Sequence, residues 1–456
     1  MKDRSSLYCI IGAGPVGLSM ARALAKAGIP YEQLEADSDL GGNWGHGVFT
    51  TTHIISSKRT TEYADYPMPA DYPDFPSAEQ MLAYLRSYAQ HFDLRQRIQF
   101  NSRVVFCRPL EDHRWEVEVQ PSEASGDPSI PLLTERRAYR GVLVCNGHHW
   151  DCRWPEHPGH FRGEYIHSKQ YKTPEQLRGK RVLVIGGGNS ACDIASEAAR
   201  VGQRAAISLR HGYWFLPKTI FGRPLVEIIP FWAPVWSQRL VLRGLLRIVQ
   251  GKYESYGLPR PNYRIFEKHP TVNSELLHYI KHGRIKPKPD IARFDEHTVE
   301  FTDGSREEYD IVVAATGFNV SFPFLPPGLV PVQGGLALLY GGCVLPTVKN
   351  LYVIGTGQAR YGFGPLLTPA SDMVARLIQL QEQMELPVGL VMQESGVPLP
   401  KTHLVDPHAA LRHMKFARKF LLPRLLKKER KLRSRMAVPA PPVCTPPQAS
   451  THAGVY

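Results

Sequence analysis

The chain has 456 residues, 43% of them apolar, enough for the cores of roughly two to four ordinary globular domains. Its formal net charge of +13 is concentrated near the C-terminus rather than spread over the body, so it does not point to nucleic acid. No stretch reaches the ~20 consecutive apolar residues of a bilayer span, Met1 to Ser6 lead straight into a strand without a signal-peptide core, and the seven cysteines (9, 107, 145, 152, 192, 343 and 444) are never spaced C-x-x-C; a cytoplasmic chain with no disulfide framework and no metal site is expected.

Residues 7–11 read as a strand that runs into Gly12-Ala13-Gly14-Pro15-Val16-Gly17, and residues 18–27 keep helical apolar spacing until Gly28 and Pro30 stop it. Strand, glycine turn and helix form a dinucleotide cradle. Gly12 allows the tight turn, Gly14 lets backbone approach a pyrophosphate, and Gly17 lets helix and strand pack closely. The next strand ends in Glu35, at the ~20-residue offset where a carboxylate accepts ribose hydroxyls. Gly41-Gly42-Asn43-Trp44 follows, then a helical run at 79–92, a polar loop or hairpin at 120–131, and an apolar strand at 141–145 that ends at Asn146-Gly147-His148.

A second copy begins with a strand at 181–185 and turns through Gly186-Gly187-Gly188-Asn189-Ser190-Ala191 into a helix that Gly202 closes. Alanine in the third small position remains compatible with the pattern. The strand after it, 205–209, lacks a terminal acid and presents Ser208 and Arg210. A carboxylate would repel a 2′-phosphate, whereas a guanidinium and a hydroxyl can bind it. The first site therefore suits FAD, and the second suits NADPH rather than NADH.

Residues 215–256 are rich in apolar side chains, including Phe221, Phe231, Trp232, Trp236, Leu240, Leu245 and Ile248, interrupted by Arg239, Arg243 and Arg247. An amphipathic helical insert is expected, either covering an apolar substrate channel, lying against lipid, or packing as core or subunit contact. Buried parallel strands are expected at 310–314, leading into Ala315-Thr316-Gly317-Phe318, and at 351–354, leading into Gly355-Thr356-Gly357. Between Arg412 and Arg435 nine further Lys and Arg residues face a single acid, Glu429, with leucines interleaved. That segment reads as a basic amphipathic helix, kinked or restarted at Pro423, either solvated or attached peripherally to a membrane; the proline-rich residues after Met436 are expected to be disordered.

These parts give an α/β fold with two Rossmann-type dinucleotide-binding domains, the NADPH domain inserted into the FAD domain. The expected layout is 1–170 for the first part of the FAD domain, 171–309 for the NADPH domain, 310–410 for the return, and 411–456 for the basic tail.

Four motifs in order, Gly41-Gly42-Asn43-Trp44, Phe161-Arg162-Gly163-Glu164-Tyr165-Ile166-His167-Ser168-Lys169-Gln170-Tyr171-Lys172, the glycine run ending at Asp193, and Ala315-Thr316-Gly317-Phe318, resemble the flavin-containing monooxygenase family of class B flavoproteins over residues 7–380. The ending Tyr171-Lys172 favours that branch over the Baeyer-Villiger enzymes, and residues 72–76 with the helix after them look like the plant YUCCA members. The resemblance implies that Gly12, Gly14, Pro15, Gly17, Glu35, Asn43, Trp44 and Ser56 serve FAD. It places Gly186, Gly188, Asn189, Ser190, Ala191, Asp193, Ser208 and Arg210 with NADPH, and Thr316 and Gly317 beside the nucleotides. Phe161, Gly163, His167, Tyr171 and Lys172 form the interdomain linker motif.

One position departs from the resemblance: Ile55 stands where animal members carry an asparagine near the flavin, and it cannot supply amide hydrogen bonds. The implied reaction is hydride transfer from NADPH to FAD, formation of a C4a-(hydro)peroxyflavin with O2, and insertion of one oxygen atom into a small, apolar organic substrate at nitrogen, sulfur or carbonyl carbon. The cofactor carries that chemistry and the protein encloses it, so no nucleophile or general base is assigned. A quinone reductase or oxidase, or a catalytically quiet flavoprotein sensor, would use the same pair of folds; a disulfide reductase would need a cysteine pair the chain lacks. A homo-oligomer is compatible with the apolar insert.

Overall fold

The computed structural model describes residues 1–122, 133–229 and 233–436. The chain opens with β1 (Lys2–Ile11), α1 (Pro15–Lys26) and β2 (Tyr31–Leu34), followed by α2 (Ala78–His91), β3 (Ile98–Gln99), β4 (Ser102–Pro109), β5 (Trp115–Pro121) and β6 (Glu135–Val144). The α2 start is fixed by a capping box: Ser77 Oγ accepts the Gln80 N–H and Gln80 Oε1 accepts the Ser77 N–H, worth about 1 kcal/mol. Met81, Tyr84, Leu85 and Tyr88, at helical spacing, bury one face of it in the core.

The middle of the chain forms a second unit from β7 (Glu164–His167), β8 (Arg181–Ile185), α3 (Asn189–Val201), β9 (Arg204–Ser208), α4 (Val235–Val249), β10 (Ile285–Lys288) and β11 (Ile311–Ala314). The chain then returns to the first unit with β12 (Leu351–Val353) and α5 (Gly364–Gln381), and ends in α6 (Pro407–Phe416) and α7 (Leu422–Met436).

The first sheet has the order β3-β2-β1-β6, with β12 parallel to the C-terminal end of β6 and β5 and β4 added as antiparallel strands at its N-terminal half. The second is wholly parallel, in the order β10-β9-β8-β11-β7. This moves both expected boundaries: β7, assigned by sequence to the FAD part, and β11, assigned to the return, both belong to the NADPH sheet. A continuous apolar strand such as β11 does not reveal which sheet it joins, and β7, with the sequence Glu164-Tyr165-Ile166-His167, carries no apolar run that marks it as a sheet strand. Expected loop residues Gln120 and Pro121 lie within β5, and the rest of that stretch from 123 onward lies outside the described residues, as do Phe231, Trp232, Cys444 and the proline-rich tail.

The basic C-terminal segment is helical, with a wide turn at Ala417–Leu421 leading into α7. Its leucines do not form a free apolar face. Leu422 and Leu425 are buried in the core of the first unit, and the carboxylate of Glu429 accepts the N–H groups of Glu385 and Leu386 at 3.1 and 3.4 Å. Among the described residues no helix is long and apolar enough to cross a membrane.

Candidate functional site

Strand register brings the two glycine turns to one place. Ile11 sits level with Leu34 and Val144, so Gly12, Glu35 and Cys145 emerge at the same edge of the first sheet; Ile185 sits level with Ser208 and Ala314, so Gly186, Leu209 and Ala315 emerge together from the second. Both edges are carboxyl ends of parallel strands, where doubly wound sheets bind ligands. They open on one continuous cleft of about 1680 Å³, larger than the ~300–1,000 Å³ of a typical single-ligand pocket.

On the first side, Gly12, Gly14, Pro15, Glu35, Asn43, Trp44 and Ser56 all line the cleft. Gly17 does not. A Cβ on it would lie 2.0 Å from the Gly12 carbonyl oxygen, so its task is the close packing of helix on turn. Gly12 has φ of 100°, and a Cβ there would meet the Cys145 carbonyl oxygen at 2.7 Å. The Glu35 carboxylate is held at the strand end by the Ala13 and Asp37 N–H groups, at 2.5 and 3.0 Å; burial raises its pKa, against the pull of those donors. The Gly41-Gly42 turn backs onto the glycine turn, with the Gly41 N–H donating to Ala13 O at 3.0 Å. Ser56 exchanges a hydrogen bond with Thr61 at 2.7 Å.

Gly186, Gly188, Asn189, Ser190, Asp193, Ser208, Arg210, Thr316 and Gly317 line the cleft from the second side. Beyond its chain neighbours, no described residue lies within 4 Å of a Cβ built on Gly188, so the space beside this turn is open to a ligand. Ala191 is fully buried and serves packing. The Asn189 side chain accepts the Val272 N–H at 2.7 Å, anchoring the loop above the turn. Ser208 is buried and its hydroxyl donates to Pro289 O at 2.7 Å, so its one proton is committed inside the protein. Arg210 stands exposed at the cleft, with no ion-pair partner among the described residues. Burial raises the pKa of Asp193, which accepts from Asn273 Nδ2 at 2.7 Å and feels the nearby Lys218 and His53; Lys218 in turn hydrogen-bonds His53 Nε2.

The linker motif joins the two sides. His167 is fully buried; its Nδ1 accepts the Lys169 N–H at 3.1 Å, which leaves Nε2 to donate to Gly317 O at 3.1 Å, and burial depresses its pKa. Lys172 Nζ donates to His46 O at 2.8 Å, and Lys169 Nζ to the Asn43 side chain at 2.6 Å. Tyr171 donates to the carboxylate of Glu197 on α3, and Thr51 from the first unit donates to the other oxygen of the same carboxylate. Phe161 packs in a separate cluster with Phe294, and a Cβ on Gly163 would meet Asp310 O at 2.7 Å, so these two shape the linker away from the cleft.

Sequence reasoning missed Gln33, whose Nε2 donates to Gly12 O at 2.9 Å and braces the first turn; it is buried in the strand that ends before Glu35, a placement with no motif of its own. It also missed Thr51 and Glu197, for which no motif exists, and Lys169, which stands in the linker motif but was not singled out.

The flavin-binding monooxygenase-like family matches residues 6–379. The chain belongs to this family. The monooxygenase is 33% identical over 420 residues to flavin-containing monooxygenase 5 of Mus musculus, covering 82% of its own chain and 77% of that protein. It is also 33% identical over 376 residues to dimethylaniline monooxygenase [N-oxide-forming] 2 of Rattus norvegicus, covering 75% and 67%. Its fold matches a flavin-containing monooxygenase from Stenotrophomonas maltophilia (TM-score 0.63, 22% identity, 83% and 99% covered) and the S-allyl-L-cysteine S-oxygenase of Allium sativum (TM-score 0.62, 20% identity, 95% and 99% covered). The protein is therefore an FAD- and NADPH-dependent monooxygenase, with a small-molecule substrate and O2 as its partners.

Proposed function

We propose that the monooxygenase inserts one oxygen atom into a small, apolar organic substrate held between the two glycine turns and the insert. The observation that carries this reading is the meeting of two differently terminated strands, one ending in Glu35 and one in Arg210, at a single cleft. FAD, when bound, supplies the redox chemistry that takes hydride from NADPH and activates O2. The residues fit both groups. Gly12, Gly14 and Gly42 present backbone without side chains to the cleft where a pyrophosphate would lie, Glu35 offers carboxylate oxygens to ribose hydroxyls, and the open flank of Gly188 with Ser190 and Arg210 suits a phosphorylated nucleotide.

The chain's own contribution to the reaction is enclosure. Ile55, Val226 and Tyr361 line the cleft and pack into the cluster formed by the insert with Leu216, Leu242, Leu246 and Phe266, which supports the insert as an apolar wall that excludes water from the reacting atoms. Ile55 adds no hydrogen bond there. The names of the relatives describe N-oxide formation and S-oxygenation, and a soft nitrogen or sulfur centre, or a ketone, is the substrate class we assign. Oxygen uptake that rises with NADPH oxidation when a thioether, amine or ketone is added would support this assignment; undiminished NADPH oxidation without O2, given a quinone, would replace it with a reductase.

We further propose a cytoplasmic enzyme in peripheral contact with a membrane. Support comes from α4, where Trp236 is 69%, Leu240 67% and Ile248 84% exposed beside Arg243 and Arg247, with no acid on the helix, a pattern that suits an anionic lipid interface. The basic, exposed side of α7 can add attraction, while its leucines are already used in packing. Co-sedimentation with phosphatidylserine vesicles should be lost in Trp236→Glu/Leu240→Glu; concentration-dependent dimers without vesicle binding would assign this face to a second copy of the chain.

A further inference from the structure

We propose that Arg360 is a specificity-determining site that binds the anionic head, a carboxylate, of an otherwise apolar substrate. This rests on the monooxygenase reading above and names the substrate class for the same cleft.

Arg360 follows β12 in a loop that lines the cleft, beside Tyr361. It is only 9% exposed and lies in an apolar setting, its guanidinium 4.9 Å from the Phe266 ring and 5.8 Å from the Tyr361 ring. A charge so placed is costly unless its donors are met. Nη1 donates to Asp406 Oδ2 at 2.8 Å, while Oδ1 of the same carboxylate caps α6, accepting the His408 and Ala409 N–H groups at 3.0 Å each, and the Tyr361 hydroxyl also interacts with the guanidinium. Nε of Arg360 is buried and has no acceptor among the described residues, so one of its N–H groups is left unmet.

The charge around it is unbalanced in the same direction. Arg239 lies close enough to Arg264 and Arg360 to be repelled by both: its pKa is lowered by burial first and then by these two, with Glu267 as the opposing acid. His149 and His269, both on the cleft, do not change this balance by carrying charge of their own, since burial pushes them down to about 3 and about 4. They present neutral, polar edges. Phe266 adds a separate sign of a built feature. It occupies the left-handed region at φ of 66°, a conformation strained for a bulky side chain, and in that conformation its ring lies against the guanidinium.

Arg360 is held in place by the end of the chain. Leu404 and Val405 pair in parallel with Gln358 and Ala359, the Arg360 N–H donates to Val405 O at 3.0 Å, and Asp406 follows directly. These residues lie beyond the 6–379 that match the family, so the element that positions this cation stands outside the matched region. Asp406 is accordingly a positioning residue, and the arginine is the group that meets the ligand. Apolar walls from the insert and one under-neutralised guanidinium fit a molecule with a hydrocarbon body and a carboxylate end.

The test is calorimetric titration of the holoenzyme, with FAD and NADP bound, against octanoate and against octanamide, which share chain length and differ in charge. Charge-assisted hydrogen bonds of about 1.5–3 kcal/mol predict octanoate binding tighter by roughly ten-fold or more. Arg360→Gln should bring the two affinities together without weakening octanamide, and Arg360→Lys should keep part of the preference. Equal affinities in the wild type, no binding of either probe, or an unchanged ratio in Arg360→Gln would overturn the proposal and leave Arg360 as a clamp between loop and C-terminal strand. Flavin retention and anaerobic reduction by NADPH, measured on the same preparations, separate the two levels: if these fail, the monooxygenase reading fails, and if they hold while the ratio is flat, only the carboxylate site does.

Discussion

The Tyr171 hydroxyl donates to the carboxylate of Glu197, tying the linker between the two nucleotide folds to the helix behind the second glycine turn. Thr51 reaches the same carboxylate from the FAD side, so a single buried acid holds three segments together. Tyr171→Phe leaves one Glu197 oxygen without its donor. The expected loss is about 1–3 kcal/mol of stability by denaturant unfolding, with flavin content unchanged, because the Glu35 cradle is not touched.

The glycines separate packing from ligand space. Gly17→Ala would force a methyl to within 2.0 Å of the Gly12 carbonyl oxygen and must displace the turn, so this variant should express poorly or lose FAD. Gly188→Ala meets no described residue within 4 Å beyond its chain neighbours. It should melt like the wild type yet show a KM for NADPH raised about ten-fold, since the new methyl occupies the approach to the turn. Unchanged NADPH kinetics in Gly188→Ala would show that no nucleotide uses that space.

Acid should destabilise the protein through its buried histidines. The folded-state pKa values of His148, His167 and His269 all lie below the ordinary 6.5, with burial as the first cause, and His269 falls to about 4. The unfolded chain therefore takes up protons first. Stability from these groups is complete above pH 6.5 and lost as pH falls below it. Glu35, Asp193 and Glu197, whose pKa values burial raises, shift in the opposite sense and oppose this slope as pH falls through their raised values. The urea midpoint of the protein without added NADPH should drop between pH 7.5 and 5.5, and a midpoint constant over that range would contradict the histidine assignment.

Much of this was legible in the sequence because the nucleotide cradle is local. Strand, glycine turn, helix and terminal acid fall within one short stretch, and each residue type has one steric or electrostatic task. The linker motif was legible as a coupling element, though not its partners. What stayed hidden depends on contacts through space. Strand β11 looks the same whichever sheet it joins, the commitment of Ser208 to Pro289 O needs the fold to bring residues 81 positions apart together, and the Arg360–Asp406 pair joins a cleft loop to a stretch just before the basic tail that carries no motif. The leucines of α7 illustrate the same limit, since amphipathic spacing does not say whether protein or lipid covers the apolar side.

The assignment of the two turns is tested most directly by Glu35→Ala and Arg210→Ala measured side by side for flavin retention and for KM with NADPH and NADH. Glu35→Ala should retain FAD at least about ten-fold more weakly, having lost a ribose acceptor. Arg210→Ala should keep its flavin while its KM for NADPH rises about ten- to hundred-fold and its KM for NADH stays nearly constant, as loss of one charge-assisted contact to a 2′-phosphate requires. Equal effects of Arg210→Ala on NADPH and NADH, or a Glu35→Ala enzyme that holds FAD as tightly as the parent, would contradict the division of labour on which the account depends.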